Sequence, residues 1–254
     1  MSEVGAVVFD TDGVLLATAE RHAAAWKEAF DGCLADWAVR TGARPRVFDT
    51  VRDYRDLVDG RSRIDGAKAF LTARRIDLPV GTPEDPPGCG TAHAVAARKE
   101  RIFAEMLRAE DATVFDDVRP ALLRLREMQV RCAAVSASRH ARSLLRAANL
   151  LVLFEAVVDG RDADTLALPG KPAPDLFLAA TERLGTGPDR TAVVEDAVVG
   201  VEAGRRGRFR LVVGLDRDAV PQVADALRAH GAHAVLPDLG PLPALLAALE
   251  SSRP

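Results

Sequence analysis

Residues 4–16 read VGAVVFDTDGVLL, and the order of residue types in this stretch decides the fold. Val4–Phe9 is a continuous apolar run, which predicts a strand buried on both faces, as in parallel sheets covered by helices. Two acids, Asp10 and Asp12, follow at alternate positions, so in extended chain their carboxylates share a side. Gly13 then permits a tight turn. Comparable runs recur at Val130–Ser136, Ala156–Val158, Thr191–Glu195, Leu211–Gly214 and Ala234–Leu236. Between them apolar residues fall at spacings of three and four over Arg119–Met128, His140–Ala148, Pro174–Leu184, Val198–Arg206, Val220–His230 and Pro241–Leu249. Strand alternating with helix predicts right-handed βαβ units and an α/β fold with a doubly wound, Rossmann-type parallel sheet. Ligands of such sheets sit at the carboxyl ends of the strands.

About 110 residues separate the first strand from the second, far more than a crossover needs. They are mostly helix-like (Thr18–Phe30, Asp49–Val58, Asp65–Arg74 and Ala92–Leu107) around the loop PVGTPEDPPGCG at residues 79–90. The expected organisation is a core of residues 1–16 and 117–254, with a helical cap of residues 17–116 inserted after the first strand as a lid. The Pro/Gly-rich loop reads as a solvent-exposed connection within it.

Composition narrows the class. Of 254 residues, 48% are hydrophobic and 28% charged, with a net charge of −3. That is enough apolar material for a sizeable core, without the basic surplus that nucleic acid or an anionic membrane would attract. No apolar run approaches the ~18 residues of a membrane helix, and Asp10 ends the first run too early for a signal peptide. Cys33, Cys89 and Cys132 are widely spaced and read as reduced thiols of a cytoplasmic protein. A monomer is expected. Basic residues are 30 Arg and 4 Lys, so each remaining lysine hints at a place where an ammonium is wanted.

The strand ends carry the chemistry. After Asp10 and Asp12 comes the second strand's end, AAVSASRH, where Ser136 and a helix start suit an anion. LPGKPAPD follows with Lys171, and then AVVEDAVVGVEAG with Glu195 and Asp196. Each piece alone has an ordinary use: D-x-D and Ser cap helices, K-P-x-P turns the chain, and E-D suits a helix start. Together, four carboxylates on one rim repel unless a cation sits among them, and an all-oxygen set suits Mg²⁺. A phosphate bridging to that metal would use the hydroxyl, the amine and the amides. Asp10 can then attack phosphorus while Asp12 moves a proton.

FDTDG, VSAS, GKPAPD and VVEDAVVG resemble the four motifs of the haloacid-dehalogenase-like superfamily, and the likeness spans nearly the whole chain. The resemblance implies Asp10 as nucleophile and Asp12 as general acid/base, with Ser136 and Lys171 holding the transferring phosphoryl group. It implies a metal site of Asp10, the carbonyl of Asp12, Glu195 and Asp196. Within the superfamily, TAERHAAAWKEAF is similar to the first cap helix of the β-phosphoglucomutase branch, which places Thr18, His22 and Trp26 at the substrate. VDGRSRIDGAKAFL matches that branch's grip on the non-reacting phosphate through Gly60 and Arg63. AARKERIF puts Lys99 on the sugar, and VSASRH puts Ser136, Ala137, Ser138 and Arg139 on the phosphate loop. The chain departs from the branch at Ala17, Asp59, Glu100 and His140, which bears on the sugar and leaves the catalytic set intact. The implied activity is a Mg²⁺-dependent phosphomutase acting on a small sugar phosphate, interconverting β-D-glucose 1-phosphate and glucose 6-phosphate through an aspartyl-phosphate and a bisphosphate. The alternatives are a sugar-phosphate phosphatase of the same chemistry and a non-catalytic phosphosugar-binding protein.

Overall fold

Ala6–Asp10 (β1) is the central strand of a parallel sheet in the computed structural model, which describes residues 4–42, 46–109 and 113–251. β2 (Arg131–Val135), β3 (Ala156–Val158), β4 (Thr191–Glu195), β5 (Leu211–Leu215) and β6 (Ala234–Leu236) complete it in the order β3-β2-β1-β4-β5-β6. The order reverses beside β1, which opens a crevice at the carboxyl ends there. Phe9 pairs with Val194 and Asp10 with Val135, so Asp10, Ser136 and Glu195 leave three adjacent strands at one edge.

The chain divides into two compact units, one of Met1–Ala17 with Ala112–Pro254 and one of Thr18–Asp111. In the first, α5 (Val118–Glu127), α6 (Ala141–Ala147), α7 (Gly160–Leu166), α8 (Asp175–Arg183), α9 (Val198–Arg206), α10 (Pro221–Ala229) and α11 (Leu242–Ser251) flank the sheet. Val8, Val135, Phe177, Val193, Val201 and Val212 share one core cluster, which is why the strands carry apolar residues on both faces. In the second unit α1 (Ala19–Asp31), α2 (Leu34–Thr41), α3 (Arg63–Ala73) and α4 (Ala92–Ala109) pack around Phe30, Trp37, Phe48 and Phe70.

Three expectations need correction. The helix predicted over Asp49–Val58 shrinks to a five-residue π turn, Tyr54–Val58. Carboxylates compete with the backbone ladder there: Asp49 accepts from the amides of Val51 and Arg52, and Asp53 from the amide of Asp49. α2 and α7 were not foreseen; α7 depends on a capping box between Asp159 and Asp162 rather than on an apolar stripe.

The third correction concerns the cysteines. Cys33 and Cys89 form a disulfide, while Cys132 is free and buried, its thiol pushed up to about 12 by burial and by the charge of Glu155. The pair is 56 residues apart in sequence, and its meeting depends on how the loop before α4 folds back. Trp37 Nε1 donates to the Cys89 carbonyl (2.9 Å) and the Ala92 amide to Pro79 (2.9 Å), so residues 79–90 close on their own unit. A crosslink over this span restricts the unfolded chain by about 4 kcal/mol. Cys33→Ser with Cys89→Ser is therefore expected to lower the melting temperature of this unit, and reductant to do the same to the native protein. A calorimetric scan indifferent to reductant would remove the crosslink from the stability account.

Candidate active site

Asp10, at the end of β1, is buried. Its Oδ2 accepts from the Asp12 amide (2.9 Å), and its Oδ1 accepts from Lys171 Nζ. The same ammonium donates to Glu195 Oε1, whose other oxygen accepts from the Ala197 amide (2.7 Å). Thr11 Oγ1 donates to the Val135 carbonyl (3.0 Å) and ties the turn to β2. Across that strand boundary Ser136 Oγ donates to Asp12 Oδ2 (2.8 Å) and accepts from the Ser138 amide (2.9 Å). The two acids of D-x-D thus lie in different settings. Asp10 is locked to a buried lysine, and Asp12 faces a hydroxyl.

Two glycines make this crowding possible. Gly13 has φ +83°, and a Cβ there would lie 1.9 Å from Asp196 Oδ2. A Cβ on Gly200 would lie 1.7 Å from Glu195 Oε1. The first turn of α9 therefore closes on Glu195, and the turn after β1 closes on Asp196.

Burial lifts the Asp10 carboxyl well above the ordinary carboxylate range. The Lys171 ammonium opposes this, and the charges of Glu195 and Asp12 add to it. Burial works against the lysine's charge too, but Asp10 and Glu195 outweigh it and hold the ammonium protonated. A single buried ammonium thus serves both Asp10 and Glu195. Among the described residues no three acidic, His or Cys side chains are gathered around a cation position. The donor set still fits a hard divalent ion, since the Asp10, Glu195 and Asp196 carboxylates and the Asp12 carbonyl offer oxygen alone.

Of the phosphate-loop residues, Ser138 accepts at its carbonyl from the Gly160 amide (3.0 Å) and Ala137 lies beside it. The Arg139 guanidinium turns to Asp164 (2.5 Å). In the Thr18–Asp111 unit, Thr18 is the buried residue preceding α1. Lys99 Nζ, also buried, donates to His22 Nδ1 (2.8 Å) and lies 4.4 Å from the Phe103 ring centre and 5.5 Å from that of Trp26. His22 stacks on Phe103. Gly60 turns the chain with φ +67°, and Arg63 is the first residue of α3.

Sequence reading missed Arg217, which follows β5. It donates to the Gly13 and Val14 carbonyls (3.1 and 2.7 Å) and grips Asp117 through two bonds (2.9 and 3.0 Å). It thus fixes the turn that carries Asp12. No motif marks it, because its partners are remote in sequence. Burial raises Asp117, but bonds from Arg217 and the Leu239 amide outweigh this and leave its carboxyl lowered. A lowered folded-state value means the pair stabilises above the unfolded carboxylate's pKa, and that this contribution fades as pH falls through the folded value. Arg217→Ala is expected to cost about 2 kcal/mol by denaturant titration at pH 7, with a smaller loss at acid pH. An equal loss at both would exclude the ion pair as its source.

Sequence reading places Lys171 at a strand end, but it reaches Asp10 and Glu195 from the loop between α7 and α8. A reversing parallel sheet with that lysine set against Asp10, Ser136 and Glu195 at three strand ends defines a class. A model of the haloacid dehalogenase-like hydrolases matches residues 4–208, and the chain belongs to that family. Within it, the chain is 42% identical over 240 residues to the β-phosphoglucomutase of Mycobacterium tuberculosis, covering 94% of this chain and 92% of that one. A phosphorylated carbohydrates phosphatase of Thermotoga maritima is 25% identical over 212 residues, 83% of this chain and 84% of that one. Among solved structures, the β-phosphoglucomutase of Clostridium difficile superposes with a TM-score of 0.75 at 19% identity, covering 98% of this chain and all of that one. The chain is thus a phosphomutase or sugar-phosphate enzyme of this family. No helix among the described residues is long and apolar enough to cross a membrane.

Proposed function

We propose that the protein is a β-phosphoglucomutase, converting β-D-glucose 1-phosphate to glucose 6-phosphate through a bisphosphate. The 42% identity to a mycobacterial β-phosphoglucomutase over 94% of this chain supports the mutase reading most. The unequal settings of Asp10 and Asp12 support the phosphoryl transfer that mutase and phosphatase share, because environments that separate two carboxylates assign them separate roles. Asp10 Oδ takes the phosphoryl group, forming a P–O bond as the donor's P–O bond breaks. The sugar hydroxyl then attacks that phosphorus and gives its proton to Asp12, as the P–O bond to Asp10 breaks and frees the carboxylate. After the bisphosphate has turned, Asp10 takes the phosphoryl from the C1 oxygen, and Asp12 returns the proton to that oxygen. Lys171 and Ser136, with the Ala137, Ser138 and Arg139 stretch, hold the transferring group. Arg63 with Gly60 takes the other phosphate, and Thr18, His22, Trp26 and Lys99 meet the sugar. In this reading residues 17–116 act as the cap that keeps water from the phosphoenzyme.

Asp10, the Asp12 carbonyl, Glu195 and Asp196 would hold Mg²⁺, which supplies positive charge to the phosphoryl oxygens. Exhaustive chelation is expected to remove turnover, with Mg²⁺ restoring it and Ca²⁺ not, because calcium's longer and looser coordination misplaces the reactants. Full activity after chelation would discard the metal. The deciding experiment measures phosphate release against glucose 6-phosphate formation from β-glucose 1-phosphate with a trace of bisphosphate. Faster release than isomerisation would make the protein a phosphatase instead.

A further inference from the structure

A cleft of about 420 Å³ opens between α6, α7 and the end of α8, wholly within the sheet-bearing unit. Five guanidinium groups line it: Arg139, Arg142, Arg146, Arg161 and Arg183. Arg142 and Arg146, four apart, share one side of α6, and Arg139 lies in the turn before it. Three of the five are already matched. Arg139 holds Asp164 (2.5 Å), Arg142 reaches Asp162 (3.3 Å) and Arg183 reaches Asp162 (2.6 Å), the last two also donating to the Val157 carbonyl. Asp159 and Asp162 are further occupied by the capping box of α7.

Arg146 and Arg161 are left over, with no side-chain hydrogen bond or ion pair among the described residues. Arg146 stands in the last turn of α6, where a helix end favours a cation on its own account. Arg161 does not have that explanation. It lies in the first turn of α7, whose Arg161 and Asp162 amides are already capped by Asp159, and the like-charged guanidiniums lining the same cleft disfavour a further positive charge there. Two unneutralised guanidiniums facing one concavity match the two charges of a phosphate monoester, which such forks bind with paired N–H···O bonds. The space exceeds a lone phosphate and is of the size that holds small organic ligands.

We propose that this cleft is a second binding site, separate from the Asp10 centre, for a small phosphate monoester whose phosphoryl group bridges Arg146 and Arg161. The test is equilibrium dialysis with labelled inorganic phosphate on the wild type and on Arg146→Ala/Arg161→Ala, both exposed positions outside the catalytic set. The double variant is expected to bind one phosphate fewer per chain, or to bind it about 30-fold more weakly, and to keep wild-type turnover of acetyl phosphate. Identical titrations of the two proteins would overturn the proposal. Competition with glucose 6-phosphate and with adenosine 5′-monophosphate then identifies the carrier. Displacement by either from the wild type, and not from the variant, supports an ester and names its kind. Displacement by neither overturns it. None of these outcomes depends on whether the Asp10 centre is a mutase or a phosphatase.

Discussion

Asp10→Asn is expected to bring turnover to background, a loss on the order of 10⁴-fold or more, with the far-ultraviolet spectrum unchanged. The amide is close in shape to the carboxylate and can still accept from Lys171, so the fold has little reason to change. It cannot form an acyl phosphate, and no neighbouring group can replace it: Glu195 is held between Lys171 and the Ala197 amide. Asp12→Asn should leave phosphoryl acceptance geometrically possible and cost about 10²-fold or more through the missing proton transfer. Single-turnover labelling separates the two. The Asp12 variant should trap label on the protein and the Asp10 variant should not. Label on Asp10→Asn would move the nucleophile elsewhere.

Arg63→Ala is expected to divide two activities that share the Asp10 chemistry. If Arg63 holds the non-reacting phosphate, losing a desolvated charge contact costs on the order of 2–5 kcal/mol, or roughly 30-fold to several thousand-fold. Glucose 6-phosphate formation should fall by at least the lower figure. Hydrolysis of acetyl phosphate, which has no second phosphate, should change little. Arg63 is half-buried at the first position of α3, and a cap residue with no ligand would leave both rates intact. Near-native mutase activity in this variant would take Arg63 out of the site.

Much of this arrangement could be read in the chain because neighbouring parallel strands convert distance along the sequence into adjacency. Asp12 and Ser136 are 124 residues apart, yet each follows a recognisable apolar strand, and β1 and β2 are paired. Their 2.8 Å contact follows from two local readings and one topological rule. Arg217 had no such rule. It pairs with Asp117 across 100 residues through a loop, where no periodicity reports on side-chain destination. Cys33 and Cys89 escaped for the same reason, since a disulfide is decided by the fold of the loop at residues 79–90 and leaves no local pattern. α7 was hidden differently. Gly160–Leu166 carries no apolar stripe, and its helix rests on a reciprocal cap between Asp159 and Asp162 that hydrophobic periodicity does not report.

The placement of β1 also fixes the order in which the newborn chain can fold. Thr18–Asp111 is a contiguous stretch, complete with its own core when residue 111 has been made. β1 is translated before any of it, yet its two sheet neighbours begin only at Arg131 and Thr191. At about 5–20 residues per second, AVVFD waits roughly ten seconds for its first partner and longer for its second. Throughout that interval an apolar strand with both edges open is tethered to a compact unit that has its own core. The stretch of synthesis most exposed to misassociation on the ribosome is therefore set by where the insertion falls in the gene, and lengthening that insertion would prolong it in direct proportion.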